Sequence, residues 1–162
     1  MKIKISTHYA IQMLCLMSEL GRTVNLTEME WALASVSGNY MRKLLFQLMQ
    51  HGMVTSELGR DGGYRLIRHP SEISVYDVVV AIEGELLISE CLYTECVLGK
   101  NLAPLCPMRG IMQDLQDSVV ATLKGVKITD LSARNENFRS KLRKMPRLEA
   151  GKNIRLQRRS LH

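Results

Sequence analysis

The sequence predicts a mainly α-helical fold with a small β wing, followed by one long C-terminal helix. Three observations carry that prediction. Apolar stripes at helical spacing recur through residues 7–51, a glycine-rich stretch between two strand-like runs follows at once, and residues 107–124 hold one long apolar stripe.

The first helix is predicted over residues 7–20. Ala10, Met13, Leu14, Met17 and Leu20 recur at i, i+3, i+4 and i+7, and Gly21 stops the run. Thr27-Glu28-Met29-Glu30 reads as a capping box that opens a short helix ending near position 34. Ser37 then caps a third helix lasting to His51-Gly52, with Met41, Leu44, Leu45 and Leu48 facing inward. Two short helices joined by a tight turn, with a third ahead of them, form a helix-turn-helix pattern.

Met53–Ser56 and Tyr64–Ile67 read as strands, and Gly59, Gly62 and Gly63 between them permit the positive φ angles of a tight loop. A hairpin directly after a helix-turn-helix makes the unit a winged helix-turn-helix. Residues 74–83 add a short helix behind it. Pro107 suits the first turn of the long helix, which carries Met108, Ile111, Met112, Leu115, Val119 and Leu123, with Gln113, Asp114, Gln116 and Asp117 opposite. So short a chain offers that stripe little internal cover, which points to a symmetric partner and a dimerisation helix.

The chain thus divides into a DNA-binding winged helix-turn-helix at 1–83, a cysteine loop at 84–106, the dimerisation helix and a following turn at 107–131, and a basic, flexible tail at 132–162. Charge follows these divisions. Of the overall +6, residues 134–162 contribute ten Lys/Arg against two acids, or +8, whereas residues 71–133 carry −5. The basic character therefore belongs to the tail, and suits transient phosphate contacts rather than proving DNA binding by the folded body. Ten Met residues against two Phe and one Trp favour helix-rich packing. No apolar run reaches the roughly 20 residues of a membrane span. Gln12 and Glu19 break the one stretch that imitates a signal peptide, so a cytoplasmic protein without a membrane partner is expected.

Two constellations carry chemistry. The third helix exposes Asn39, Tyr40, Arg42, Lys43, Phe46 and Gln50. Asn and Arg bind two base-edge atoms at once, while Lys holds phosphate. With Arg60 and Arg65 on the hairpin, Asn39, Tyr40, Arg42 and Lys43 form the expected contact set on duplex DNA. The second constellation is Cys91-x4-Cys96-x9-Cys106. Clustered thiols in a reducing compartment point to metal or redox chemistry rather than disulfides. The spacing is not the Cys-x2-Cys of common zinc modules, so iron is favoured over zinc. A further ligand is needed, and His8, Glu90, Glu95 and Asp114 are candidates. Cys15, inside the first helix, reads as a core thiol. A Cys–His enzyme lacks support, since His8 is far from the cysteines and no oxyanion-type glycine loop accompanies them. No small-molecule substrate is expected.

The chain resembles the Rrf-two family of winged-helix regulators over residues 1–131. The likeness rests on Thr7-His8-Tyr9-Ala10, on Gly52-Met53-Val54 leading into Gly59-Arg60-Asp61-Gly62-Gly63, on Ile73–Glu83 around Asp77-Val78, on the three-Cys loop, and on Ile128-Thr129-Asp130-Leu131. The resemblance implies a homodimer crossed through the long helix, palindromic DNA, and an iron–sulfur cluster (4Fe–4S or 2Fe–2S) that gates DNA affinity. It also implies that position 8, here His8, completes the cluster across the dimer. Three departures stand out: a longer segment between the second and third Cys, Leu58 where relatives present a wing Arg, and Arg109 where the cluster-assembly branch carries His. A zinc- or thiol-based redox switch on the same fold is the alternative.

Overall fold

The computed structural model describes residues 3–33, 36–59, 61–89, 92, 105–134, 136–145 and 147–148. Seven α-helices and a two-stranded antiparallel sheet appear among them: α1 (Ile5–Leu20), α2 (Leu26–Ala32), α3 (Gly38–Gln50), β1 (Val54–Glu57), β2 (Gly63–Leu66), α4 (Val75–Glu83), α5 (Pro107–Gly125), α6 (Ile128–Arg134) and α7 (Glu136–Arg143).

Helix α1 is the axis of the core. Ala10, Met13, Leu14, Cys15, Leu16 and Met17 are all buried, because α3, α4, α6, α7 and β2 pack around it. Gly21 ends it in the left-handed region (φ 60°), donating its N–H to the Met17 carbonyl at 3.1 Å. The second helix is capped two residues earlier than Thr27-x-x-Glu30 predicts. Asn25 accepts from the Glu28 N–H, and the Glu28 carboxylate accepts from the Asn25 N–H, both at 3.0 Å. Thr27 is itself buried in the first turn, and the cap falls to Asn25. In α3 the predicted inward set Met41, Leu44, Leu45 and Leu48 is buried, and Asn39, Tyr40, Arg42, Lys43, Phe46 and Gln50 are exposed.

The wing pairs Val54 with Leu66 through Glu57 with Gly63. Val24 adds an isolated antiparallel bridge to Tyr64, with both backbone hydrogen bonds at 2.8 Å, which ties the link between α1 and α2 to the edge of the wing. The glycines serve two purposes. Gly59 alone of the three takes a positive φ (114°), whereas a Cβ on Gly63 would meet the Val24 carbonyl oxygen at 2.5 Å and one on Gly62 the Glu57 carbonyl oxygen at 2.4 Å. Close backbone approach, not a positive φ, requires glycine at 62 and 63.

Ser74 and Asp77 form a capping box at the start of α4. The Val75 N–H donates to Val126 O and the Ile128 N–H to Ile73 O, which ties the end of α5 to the start of α4. Residues 128–134, expected as a turn running into the tail, form α6 with Ile128 and Ser132 buried. The flexible tail predicted from 132 also requires correction. Helix α7 packs on α1, and Leu142, Met145 and Leu148 are buried. Phe138, Leu142 and Met145 recur at i, i+4 and i+7 among many charges, and that stripe closes one side of the core. Residues 135, 146 and 149–162 of the expected tail lie outside the described residues.

Candidate nucleic-acid interface and metal centre

The packing of α3 leaves one polar face outward. Arg42 Nη1 donates to Asn39 Oδ1 at 3.2 Å, one turn apart, so the two side chains expected to read base edges stand together. Lys43 is exposed beside them. Tyr40 is only marginally exposed: its ring meets that of Tyr9 in α1 edge-on, with centroids 6.3 Å apart and planes at 89°. It therefore joins α3 to α1 as much as it offers a hydroxyl outward.

Arg65, on β2, bonds the Glu57 carboxylate across the hairpin, and the Thr23 hydroxyl donates to the same group. The Thr23 hydrogen bond and then the Arg65 guanidinium hold the Glu57 carboxyl below the usual carboxylate range. Arg65 also lines a cleft of about 560 Å³ with Arg22, Arg68, His69, Met17 and Ser18. Sequence reasoning passed over Arg22 and Arg68, which neither periodicity nor motif marks. Both are engaged internally, Arg22 with buried Glu28 at 2.8 Å and Arg68 with the Glu72 carbonyl at 2.7 Å. The predicted wing contact Arg60 lies outside the described residues.

Of the predicted metal ligands, Cys91 and Cys96 also lie outside the described residues, as do Glu90 and Glu95. Cys106 is half-buried at the N-cap of α5 with Pro107 next to it, and its side chain makes no capping hydrogen bond. That helix end is partially positive and favours negative charge close by. Among the described residues no three His, Cys, Asp or Glu side chains form a group that could hold a metal. Cys15 is a core thiol, as expected. Burial pushes its pKa up, and it faces the Ile128 carbonyl at 4.0 Å.

His8 is exposed near the start of α1. Beside it, the buried Thr7 hydroxyl and the Lys4 N–H both donate to the Glu83 carboxylate, the latter at 2.8 Å. Glu83 is the last residue of α4, so the turn that carries His8 is fastened to the point where the chain leaves for the cysteine segment. A second fastening comes from a residue read as polar surface. Gln116 is the one buried residue of α5; its amide accepts from the Ile88 N–H at 2.9 Å and donates to the Leu86 carbonyl at 2.6 Å. Sequence periodicity places Gln116 on the polar side, and only the distant backbone of 86–88 explains its burial. Met108, Ile111 and Leu115 remain exposed along the same helix, as does Leu105 just before it.

Comparison with known proteins agrees with the fold that carries these residues. The Rrf2 family model, described as iron-dependent transcriptional regulator, matches residues 3–134. The chain is 28% identical over 147 residues to the HTH-type transcriptional regulator NsrR of Geobacillus kaustophilus, covering 88% of this chain and 97% of that protein. Over 89 residues it is 34% identical to NsrR of Bacillus subtilis, covering 55% and 58% of the two chains. Among solved structures, IscR of T. potens aligns with a TM-score of 0.64 at 22% identity over 85% of this chain and 90% of that one. CymR, the global cysteine regulator of B. subtilis, aligns with a TM-score of 0.64 at 21% identity over 83% and 98%. At such identities the two structures establish the fold.

Proposed function

The chain belongs to the Rrf2 family of transcriptional regulators, and from that premise we propose that it binds a palindromic operator as a homodimer whose affinity is set by an iron–sulfur cluster on Cys91, Cys96 and Cys106. The observation that carries this reading is that both ends of the cysteine segment are fixed to α5. Gln116 holds residues 86–88, and Cys106 opens the helix. Ten helical residues separate those points, about 15 Å, so the two ends of the segment that carries Cys91 and Cys96 lie close together, which suits convergent thiols. Three thiolates suit iron, and the partially positive end of α5 favours their negative charge.

Such a group would supply iron- or redox-responsive bonds to these thiols. The rest is the work of the chain's own residues. His8, offered as the remaining ligand, stands on the turn that Thr7, Lys4 and Glu83 lock to α4. Its neighbour Tyr9 packs on Tyr40 at the start of α3. A change in the position of His8 is thus two side chains from the helix that carries Asn39, Arg42 and Lys43, and two recognition helices must stay about one DNA turn apart to fit a two-fold site. The exposed stripe of Leu105, Met108, Ile111 and Leu115 is offered as the dimer seam.

Anaerobic purification tests the proposal. Iron with acid-labile sulfide and a visible absorption band are expected, and His8→Ala should keep a cluster that is lost faster, with a shifted spectrum. A colourless, zinc-containing or metal-free protein would instead support a thiol-based switch on the same fold. Unchanged spectrum and lifetime in His8→Ala would remove His8 as a ligand.

A further inference from the structure

Beyond residue 134, where the match to the family model stops, the chain returns to the helix-turn-helix and the wing. Helix α7 is held to α1 by Leu142 in the core and by Arg139 on Glu19 at 3.0 Å. Past α7, Leu148 is buried. Asn25 Nδ2 donates to its carbonyl at 2.6 Å, and its N–H donates to the buried Glu28 carboxylate at 3.3 Å. Asn25 follows Val24, whose two backbone hydrogen bonds hold Tyr64 of β2. Strap, α2 and wing are thus joined at two adjacent residues. From this fixed point Arg147, its side chain 64% exposed, reaches Asp61 in the wing turn at 3.6 Å.

The wing needs that charge. From Glu57 to Arg65 it holds two acids and two arginines, so by itself it brings no net charge to a phosphate backbone. Arg65 is committed to Glu57, and the exposed Asp61 carboxylate repels phosphate. A guanidinium delivered from outside the hairpin moves the balance to +1, and so exposed an ion pair is weak enough to exchange for a phosphate. We propose that Arg147 extends the DNA-binding surface, contacting a phosphate of the duplex beside the wing, a role that rests on the proposed DNA binding by α3 and the wing. Its planar fork of donors suits phosphate oxygens, which carry no sequence information, so it adds affinity to any duplex alike.

The test is fluorescence anisotropy over a salt series with the anaerobically purified full chain, on a duplex selected from a random library for tight binding and on an unselected one. Arg147→Gln should lower the salt slope by about one unit and the affinity roughly fivefold on both duplexes, with an unchanged melting temperature. Arg147→Lys, which keeps the charge, should restore most of the slope. In an Asp61→Asn background, Arg147→Gln should still lose that unit; no loss there would mean that Arg147 only masks Asp61, and overturns the contact. Equal losses in Arg147→Gln and Arg147→Lys with a lowered melting temperature would mark a structural residue and overturn it as well. A loss confined to the selected duplex overturns its indifference to sequence. If the unsubstituted chain binds neither duplex, the DNA-binding reading and the contact fall together. Binding by the unsubstituted chain with an unaffected Arg147→Gln removes the contact alone.

Discussion

Helices α1 and α5 carry similar apolar stripes in the sequence, yet their fates differ. The sixteen-residue α1 packs against five other elements, and its side chains from Met13 to Met17 are all buried. The nineteen residues of α5 bury only Gln116, while Met108, Ile111 and Leu115 stay about half exposed. Periodicity reports that a face is apolar and leaves open what will cover it. In α1 the cover is the chain itself. The C-terminal half of the α5 stripe, Val119 and Leu123, packs against Val75, Val79 and Leu86, whereas Met108, Ile111 and Leu115 have no such cover among the described residues, and a second copy is the reading proposed for them.

The sharpest way to break that contrast is a truncation in each helix. Leu14→Ala should cost about 3 kcal/mol of unfolding free energy, because the closed core can collapse only partly around the lost atoms. Urea denaturation measures it, and a loss below about 1 kcal/mol would mean that α1 is less enclosed than described. Ile111→Glu with Leu115→Glu should leave the fold of the single chain intact by circular dichroism but weaken self-association about a hundredfold, since two charges would have to be desolvated in the seam. Sedimentation showing an unaltered dimer would place the seam elsewhere.

The same contrast holds between what could be read from sequence and what could not. The inward set of α3 and the wing hairpin were legible, because Met41, Leu44, Leu45 and Leu48 repeat at helical spacing and turn glycines bracket the strands. Gln116 was not, since its burial depends on backbone groups 28 and 30 residues away. The anchored strap after α6 was legible in principle through Phe138, Leu142 and Met145, but ten basic residues from 134 onward obscured it. The cap of α2 falls two residues before its expected place because Thr27 and Asn25 both suit a cap, and only the tertiary fold decides which of them starts the helix. Of the site residues, exposure of Asn39, Arg42 and Lys43 followed directly from the inward stripe, whereas the Tyr40–Tyr9 contact required the tertiary fold.

Smaller effects sharpen the comparison within the DNA-facing unit. Arg42→Ala should cost about 1–3 kcal/mol of operator binding and relax preference at one position, whereas Lys43→Ala should weaken all duplexes alike and lower the salt slope by about one unit. Identical behaviour of the two variants in anisotropy titrations would show that α3 does not distinguish base edges from backbone. The smallest effect concerns the wing carboxylate. The folded pKa of Glu57 is depressed, first by Thr23 and then by Arg65, so its stabilisation is complete above the unfolded carboxylate pKa and is lost as pH falls through the folded value. The melting-temperature gap between wild type and Glu57→Gln should accordingly be widest at neutral pH and close in strongly acidic buffer. A gap that persists there would assign the wing's order to its backbone ladder alone.

That ladder has a mechanical corollary. Val24, immediately before the cap of α2, exchanges two backbone hydrogen bonds with Tyr64, and Gly63 lies too close to Val24 for any side chain to wedge between them. Each such bond is worth about 1 kcal/mol net, and the contact also shields the carbonyl that a side chain on Gly63 would strike. The hairpin is thereby welded to the short helices rather than hinged on them. Under the proposed switch, a signal arriving at this unit would carry the wing and α2 together against their mounting, so control over DNA would be exerted through spacing and tilt rather than through local flexing.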